Sequence, residues 1–340
     1  MHSETAIKYS LILPVFNEQA VLPLLVNRLK KLLDKIKEPT EVIFVDDGSS
    51  DTSPIYLKEI VRTDARFRLI KLSRNFGHQI AISAGMDEAS GQAVIVLDAD
   101  LQDPPEIVLE MIEKWKQGYE IVYAQRIARK GETFFKKLSA SLFYRTMRKL
   151  TEIDIPVDTG DFRLIGPKAL KTFKAMPEKQ RFVRGMFAWM GFRQIAVQFE
   201  RPERAAGETK YPLSKMLKLA SHGVLSFSDK PLRLALWGGA MVSTGAALYG
   251  LYVFALWMID ASLVQGWAST IMVISFLSGV NLMMTGIVGL YVGSIYTQVK
   301  QRPLYVVDEL EGFERGISKE KPTSDRKNND QVSKSNVKYL

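Results

Sequence analysis

The chain of 340 residues has no cysteine, so disulfides and thiolate metal sites are excluded. It has three histidines, His2, His78 and His222, which argues against a zinc site built from imidazoles. His78 and His222 read as packing or surface residues. Charge is nearly missing from one long stretch. Between Arg233 and Lys300 the only charged residue is Asp260. No basic and aromatic recognition motif is present, so the net charge of +9 does not point to nucleic acid.

What fills the uncharged stretch is apolar. Leu234–Ile259 and Gly266–Val299 each exceed the ~20 residues that cross a bilayer. They predict a two-helix transmembrane hairpin, with helices at about 234–259 and 267–296. The mean hydropathy of -0.03 averages a polar front with this apolar back. Arg204 and Arg233 precede the first span, and Lys300 and Arg302 follow the second. The short connection Asp260–Gln265 has no Lys or Arg. The positive-inside bias therefore predicts a multi-pass protein with both ends in the cytoplasm, the excess charge lying beside anionic lipid. The opening MHSETAIKYSLILPVFNE lacks the form of a signal peptide, because its apolar run is short and passes straight into a strand and turn.

The front of the chain alternates strand and helix patterns. Tyr9–Val15, Glu41–Val45, Phe67–Leu72, Ala93–Leu97 and Ile121–Ala124 are short apolar runs. Between them, Glu18–Leu33, Gln79–Ala89 and the segment from Pro104 to Trp115 carry helical spacing or helix-start signals. Strands written as continuous apolar runs predict an α/β fold with a mostly parallel sheet covered on both faces. Ligands bind such sheets at the carboxyl ends of the strands. The polar clusters fall at those ends: Asn17-Glu18, Asp46-Asp47, Arg74-Asn75 and Asp98–Asp103. Gly131–Leu150 and residues 213–228 read as amphipathic helices for a membrane surface. The predicted organisation is a cytoplasmic domain over 1–230, the hairpin over 231–300 and a cytoplasmic tail over 301–340, disordered toward its end. Small residues in the spans, Gly238 and Gly286 among them, could pack the two helices together or pack subunits into a homo-oligomer.

Asp98-Ala99-Asp100 follows a buried strand. Either one carboxylate binds a divalent ion while the other meets a sugar or ribose, or both reach the ion through a turn. Oxygen donors of this kind suit Mg²⁺ or Mn²⁺, with diphosphate oxygens and water completing the shell, and Gln102 offers a further oxygen. Asp46 and Asp47 stand side by side at another strand end, where one could accept hydrogen bonds from uracil or ribose. Ser49, Ser50 and Asp51 read as helix caps.

The ordered set LPVFNE, VDDGSSD, LSRNFG, LDADLQDPPE, DTGDFRL and RAAGETKYP, together with the spans, resembles the family 2 glycosyltransferases. Within these it is similar to the polyprenyl-phosphate group, which contains dolichol-phosphate mannose synthase and the bactoprenol glucosyltransferases. The resemblance runs from about Tyr9 to Asp308. It implies a GT-A, Rossmann-like fold and an inverting transfer. By similarity Pro14, Phe16, Glu18 and Asp47 hold the nucleoside, with Asp46 beside them. Asp98, Asp100 and Gln102 surround the metal and donor diphosphate. Arg126 faces the phosphates, and Lys137 and Ser141 approach the acceptor phosphate. Arg204 and Lys210 lie on a loop closing over the diphosphate. Asp158 is the base-like residue, with Asp161 orienting Arg163 or the sugar. Relatives often have Arg at the place of Lys137, which turns a bidentate fork into a point charge.

The activity this implies is transfer of a hexose, glucose first, from a UDP-sugar to undecaprenyl phosphate at the bacterial inner membrane, ahead of a flippase and a second glycosyltransferase. Other donor sugars, a processive polysaccharide synthase, a non-catalytic scaffold and a transferase to soluble sugars are the rival readings.

Overall fold

The computed structural model describes residues 6–127, 156, 159–200, 228, 230–259 and 266–313. The amphipathic segment 131–150, most of 213–228, the 260–265 connection and the tail beyond 313 lie outside the described residues, as do Lys137, Ser141, Asp158, Arg204 and Lys210.

The first half is a strand–helix alternation: β1 (Tyr9–Val15), α1 (Leu22–Lys35), β2 (Thr40–Asp46), α2 (Ser53–Thr63), β3 (Phe67–Leu72), α3 (His78–Glu88), β4 (Ala93–Val96), α4 (Ile107–Lys116) and β5 (Ile121–Arg126). β1 is buried throughout and β2 nearly so, as expected for strands covered on both faces. α1 presents Leu22, Leu25, Val26, Leu29, Leu32 and Leu33 to the sheet at helical spacing, with Pro in its first turn. Two apolar layers result. One packs α1, α2 and α4 on the sheet, around Phe44, Phe67 and Phe162. The other packs α3 and two later helices on the opposite face.

Those later elements are β6 (Thr159–Ile165), α5 (Pro167–Ala175), α6 (Val183–Trp189) and β7 (Gln194–Phe199). β6 inserts between β4 and β5 and runs antiparallel to both. The sheet order is β7-β5-β6-β4-β1-β2-β3-β8. Its centre, β4-β1-β2-β3, is parallel, and β5 pairs with β7 in parallel. The sheet is therefore mixed, with a parallel nucleus. DTGDFRL was expected as a motif-bearing segment. Its core is a fully buried strand, which the charges of Asp161 and Arg163 hide from a hydropathy pattern.

Two long apolar helices follow: α7 (Lys230–Ile259) and α8 (Trp267–Val299). At 30 and 33 residues they are about 45 and 50 Å long, more than a hydrocarbon core of about 30 Å needs. Both pass the length and composition test for a membrane span, and their side chains are almost entirely unburied by protein. Gly238 meets Met284 Cε, 3.1 Å from where its Cβ would lie. Gly245, Gly250, Gly279, Gly286, Gly289 and Gly293 have open space beside them, so these glycines do not make the contact within the hairpin.

The tail departs from the expected organisation. After α8 the chain returns to the sheet as β8 (Val307–Glu311), antiparallel to β3, with Leu72 opposite Val307 and Leu69 opposite Glu311. Residues 301–313 are thus partly integral to the first domain. Their VDELE pattern is that of an edge strand, half-buried residues alternating with exposed ones.

Candidate active site

The parallel strands bring Val15, Asp46, Leu72 and Val96 to one edge of the sheet. β5 ends there with Arg126, and antiparallel β6 begins there with Thr159, Gly160 and Asp161. The strand ends carrying the candidate residues therefore lie along one edge.

The β1 and β2 loops are knitted together. Asn17, at φ 55°, donates its amide to Ser49 Oγ at 3.0 Å and accepts from the Ser50 amide at 2.8 Å. The Glu18 amide donates to Ser53 Oγ at 3.1 Å. Pro14 is buried in β1, while Phe16 is 45% exposed, an aromatic face open at the site edge. Asp46 accepts from the Ser49 amide at 3.2 Å through Oδ1, and its Oδ2 is buried with no hydrogen-bond partner. Asp47 is committed within the fold: Oδ1 accepts the Phe76 amide at 2.7 Å and Oδ2 the Gly77 amide at 2.9 Å. Burial pushes both carboxyls up, against the pull of these amides.

The β4 loop holds Asp98, Ala99, Asp100 and Gln102. Ala99 and Gln102 are buried; Asp98 and Asp100 are half-buried. Asp100 Oδ1 accepts the Gln102 amide at 3.0 Å, an Asx turn that aims the loop back at the site. Leu101 has φ 57° although it is a bulky residue 4% exposed, so the loop stores backbone strain between the carboxylates and Gln102. Next along, Asp103 is 1% exposed, and its Oδ1 lies 3.5 Å from Arg126 Nη2. Arg126 reaches it across Gly160, where a Cβ would sit 3.1 Å from Nη2.

The most concentrated cluster surrounds Asp161, 2% exposed on β6. Arg184 on α6 donates twice, Nε to Oδ1 at 2.9 Å and Nη2 to Oδ2 at 3.1 Å. Gln79 Nε2 donates to Oδ2 at 2.8 Å, and Gln79 Oε1 accepts the Val183 amide at 3.0 Å. His78 Nε2 stands between two carboxylates, 3.3 Å from Asp98 Oδ1 and 3.4 Å from Asp161 Oδ2. Burial pushes the Asp161 carboxyl up, but Arg184 and His78 outweigh it and hold the group well below the usual range. For His78, burial opposes the charge, yet Asp161 and Asp98 prevail and raise it to about 9. Burial raises Asp98 despite the neighbouring His78.

Asp161 and Arg163 are near enough to feel each other's charge, but no hydrogen bond joins them. Arg163 Nη2 donates instead to the Gly160 carbonyl at 3.1 Å and lies over the Phe187 ring. His78, read from the sequence as a packing or surface residue, is partly exposed and lies between Asp98 and Asp161. Its signal was present in the polar run Arg74-Asn75-Phe76-Gly77-His78-Gln79 past a strand end. Arg184 gave no local signal; its partner is 23 residues away.

A parallel nucleus with carboxylates at its strand ends, completed by an antiparallel strand carrying a buried acid, is a GT-A-like glycosyltransferase architecture. Residues 10–173 match the family described as Glycosyl transferase family 2. "Uncharacterized glycosyltransferase YkcC" of Bacillus subtilis is 52% identical over 308 residues, covering 91% of this chain and 95% of that protein. "SfII prophage-derived bactoprenol glucosyl transferase" of Shigella flexneri is 35% identical over 300 residues, covering 88% of this chain and 97% of that protein. The chain belongs to the family 2 glycosyltransferases. Among solved structures, mannosyl-3-phosphoglycerate synthase from Rubrobacter xylanophilus is similar with a TM-score of 0.46 and 14% identity, over 68% of this chain and 75% of that one.

Proposed function

We propose that the chain is an inverting hexosyltransferase. It moves a hexose, glucose first among the candidates, from a UDP-sugar to undecaprenyl phosphate, giving the lipid-phosphate sugar and UDP. The observation that carries this reading is the meeting of Asp98, Asp100 and Arg126 at one sheet edge of a chain that also bears two apolar helices. Relatives named bactoprenol glucosyl transferase, 35% identical over 88% of the chain, support the lipid acceptor.

A divalent ion fits the residues present. Gln102 Oε1 is buried without a hydrogen-bond partner, and Asp98 Oδ1 has no hydrogen bond although the His78 ring lies near it. Among the described residues no three acidic or imidazole side chains gather into a complete metal cage. Mg²⁺ does not require one, being held by one or two carboxylates together with substrate phosphates. Asp98 and Asp100, with Gln102, would hold Mg²⁺ or Mn²⁺, and such an ion supplies charge neutralisation for the departing diphosphate.

The remaining work falls to the chain. Phe16, with Pro14 behind it, faces the nucleoside, and the paired β1 and β2 loops carrying Glu18, Asp46 and Asp47 shape that pocket. Arg126, steadied by Asp103, meets phosphate charge. An acceptor phosphate oxygen attacks the anomeric carbon, the bond to the UDP oxygen breaks, and the configuration inverts. A phosphate monoester has a second pKa of about 6, so it is an anionic nucleophile at cytoplasmic pH and needs little help from a base. Asp161, saturated with donors, serves as an anchor in this reading, which leaves the base-like role to Asp158. Lys137 and Ser141 meet the acceptor phosphate, and Arg204 and Lys210 close over the donor.

β8 pairs with β3 after the hairpin, which supports both hairpin ends lying on the side of the catalytic domain. The positive-inside bias puts that side in the cytoplasm. A lipid-borne product made there requires a translocating protein and a second transferase beyond the membrane.

The test is a radiolabel transfer assay in membranes containing the chain. UDP-glucose, UDP-GlcNAc, UDP-galactose and GDP-mannose are offered separately with undecaprenyl phosphate and Mg²⁺ or Mn²⁺. Label enters the organic phase from UDP-glucose, is abolished by EDTA, and is lost in Asp100→Ala protein that remains folded. Absence of lipid-phase label from every donor would overturn the reading.

A further inference from the structure

We infer that the membrane hairpin is a rigid mount for the catalytic domain, with Gln298 as its positioning residue and β8 as its clasp. The inference deepens the function proposed above, because it concerns how that site meets a lipid-borne acceptor.

The base of α8 is hooked to the catalytic domain by one side chain acting in both directions. Gln298 Nε2 donates to the Pro177 carbonyl at 2.7 Å, and Gln298 Oε1 accepts the Lys179 amide at 2.9 Å. Lys179 lies four residues before Val183, whose amide bonds Gln79 in the Asp161 cluster. The hook is therefore fixed a few residues from the candidate site. The base of α7 is tied to α8 in turn: Tyr291 Oη donates to the Ser228 carbonyl at 2.8 Å, and Ser228 Oγ caps the Lys230 amide at 3.1 Å.

Past the membrane the chain does not trail away. The Ser73 amide donates to the Val306 carbonyl at 2.9 Å, and β8 then zips along β3. Lys71 pairs with Asp308 at 2.6 Å and Glu309 at 3.0 Å, and Lys58 also pairs with Glu309. These pairs are partly exposed and each adds little. The backbone ladder and the Arg68 guanidinium over the Phe313 ring, at 5.2 Å, carry the clasp. Tyr305 Oη adds a hydrogen bond to Asp87 Oδ2 at 3.0 Å. β8 begins beside Leu72, at the sheet edge where the site lies. Hook and clasp therefore restrain the site edge relative to the bilayer. A flexible tether would let the domain swing. A two-point mount fixes the depth at which a phosphate head must arrive, and misplacement of about 1 Å can cost about a hundredfold in rate.

The experiment uses the full chain in lipid nanodiscs, with Gln298→Ala and Leu310→Pro as variants. The first removes the hook and the second breaks the β8 ladder. Gln298→Glu, which keeps the acceptor for Lys179 but sets a carboxylate oxygen against the Pro177 carbonyl, breaks the donating half of the hook. Two readouts run together. One is the KM and kcat for undecaprenyl phosphate in the disc and for a short, water-soluble prenyl phosphate. The other is the distance from a spin label at Glu59→Cys, exposed on α2 and the only cysteine in the chain, to labelled lipid headgroups.

The expected result is a narrow distance distribution that broadens in both variants. With it, KM for the bilayer acceptor rises about tenfold or more, while kinetics with the soluble acceptor stay within about twofold. Gln298→Glu broadens the distribution as well. An unchanged distribution, or equal losses on both acceptors, overturns the inference. If the wild type transfers to neither acceptor, the proposed function fails, and the distance distribution alone still decides the mount.

Discussion

Arg184 and Asp161 form a two-point pair, with Nε to Oδ1 at 2.9 Å and Nη2 to Oδ2 at 3.1 Å, around a carboxylate 2% exposed. Together with Gln79 they join α6, β6 and α3 at one point. Removing one partner of a buried pair leaves an uncompensated charge, at a cost of about 3–5 kcal/mol. Arg184 is 29% exposed, so Arg184→Ala belongs at the lower end of that range. Thermal unfolding in detergent will show the lowered Tm. The pH dependence has a definite sign. Asp161 is held below its unfolded pKa of about 3.9. Its contribution is complete above that value and is lost as pH falls through the lower folded value. The unfolded carboxyl is common to both proteins, so the Tm gap between wild type and Arg184→Ala is full where Asp161 is ionised in both. It narrows as pH falls through the Asp161 pKa of the variant, which loss of Arg184 raises above that of the wild type.

Asp47 predicts a different kind of failure. Its two oxygens hold the Phe76 and Gly77 amides, 29 and 30 residues away. Asp47→Asn keeps one acceptor and turns the other into a donor facing an amide. A buried amide without its acceptor costs about 1–3 kcal/mol. Hydrogen exchange should find lost protection concentrated at Phe76 and Gly77. Uniform loss over the whole sheet would mean that Asp47 supports the fold generally and not that loop.

Sequence and structure part company where partners are remote. The parallel nucleus was legible because β1 to β5 are apolar runs whose polar ends share one edge. The membrane pair was legible because charge is absent over so long a stretch. β6 was not read as a strand because Asp161 and Arg163 interrupt its hydropathy, although Arg184 and the Phe187 ring neutralise that cost. β8 was not read because an edge strand of alternating acids resembles a solvated tail, and only pairing with β3, some 237 residues earlier, gives it form. In the site, Asp98 and Asp100 stood out by spacing. His78 was missed because its meaning lies in Asp161, which the sequence places far away.

Two glycines in neighbouring turns separate backbone conformation from crowding. Gly48 and Gly77 both have positive φ, 70° and 103°. A Cβ on Gly77 would meet nothing within 4 Å, whereas one on Gly48 would lie 2.5 Å from the Arg74 carbonyl carbon. Gly77, at φ 103° and ψ 150°, occupies a region essentially reserved for glycine, so Gly77→Ala should cost the conformational term alone, about 1–3 kcal/mol. Gly48→Ala adds a backbone collision that no side-chain rotation relieves, so its Tm should fall well below that of Gly77→Ala. Equal stabilities would show that the β2 loop can move away from Arg74.

Gly160 tests the phosphate side of the site without touching a charge. A Cβ there would stand 3.1 Å from Arg126 Nη2 and 3.7 Å from Asp103 Oδ2. The atom it crowds most closely is the far end of a long side chain whose guanidinium is 28% exposed, so that end can swing aside. Folding should therefore survive Gly160→Ala, with an unfolding free energy within about 1 kcal/mol of wild type. The displaced guanidinium no longer sits against Asp103 and no longer meets phosphate charge, and loss of one such electrostatic contact lowers kcat about 10²-fold. Arg126→Lys should fall with it, because a point charge cannot replace the fork. A variant with full activity would detach Arg126 from the reaction. A variant that unfolds would make Gly160 a requirement of the sheet and not of the site.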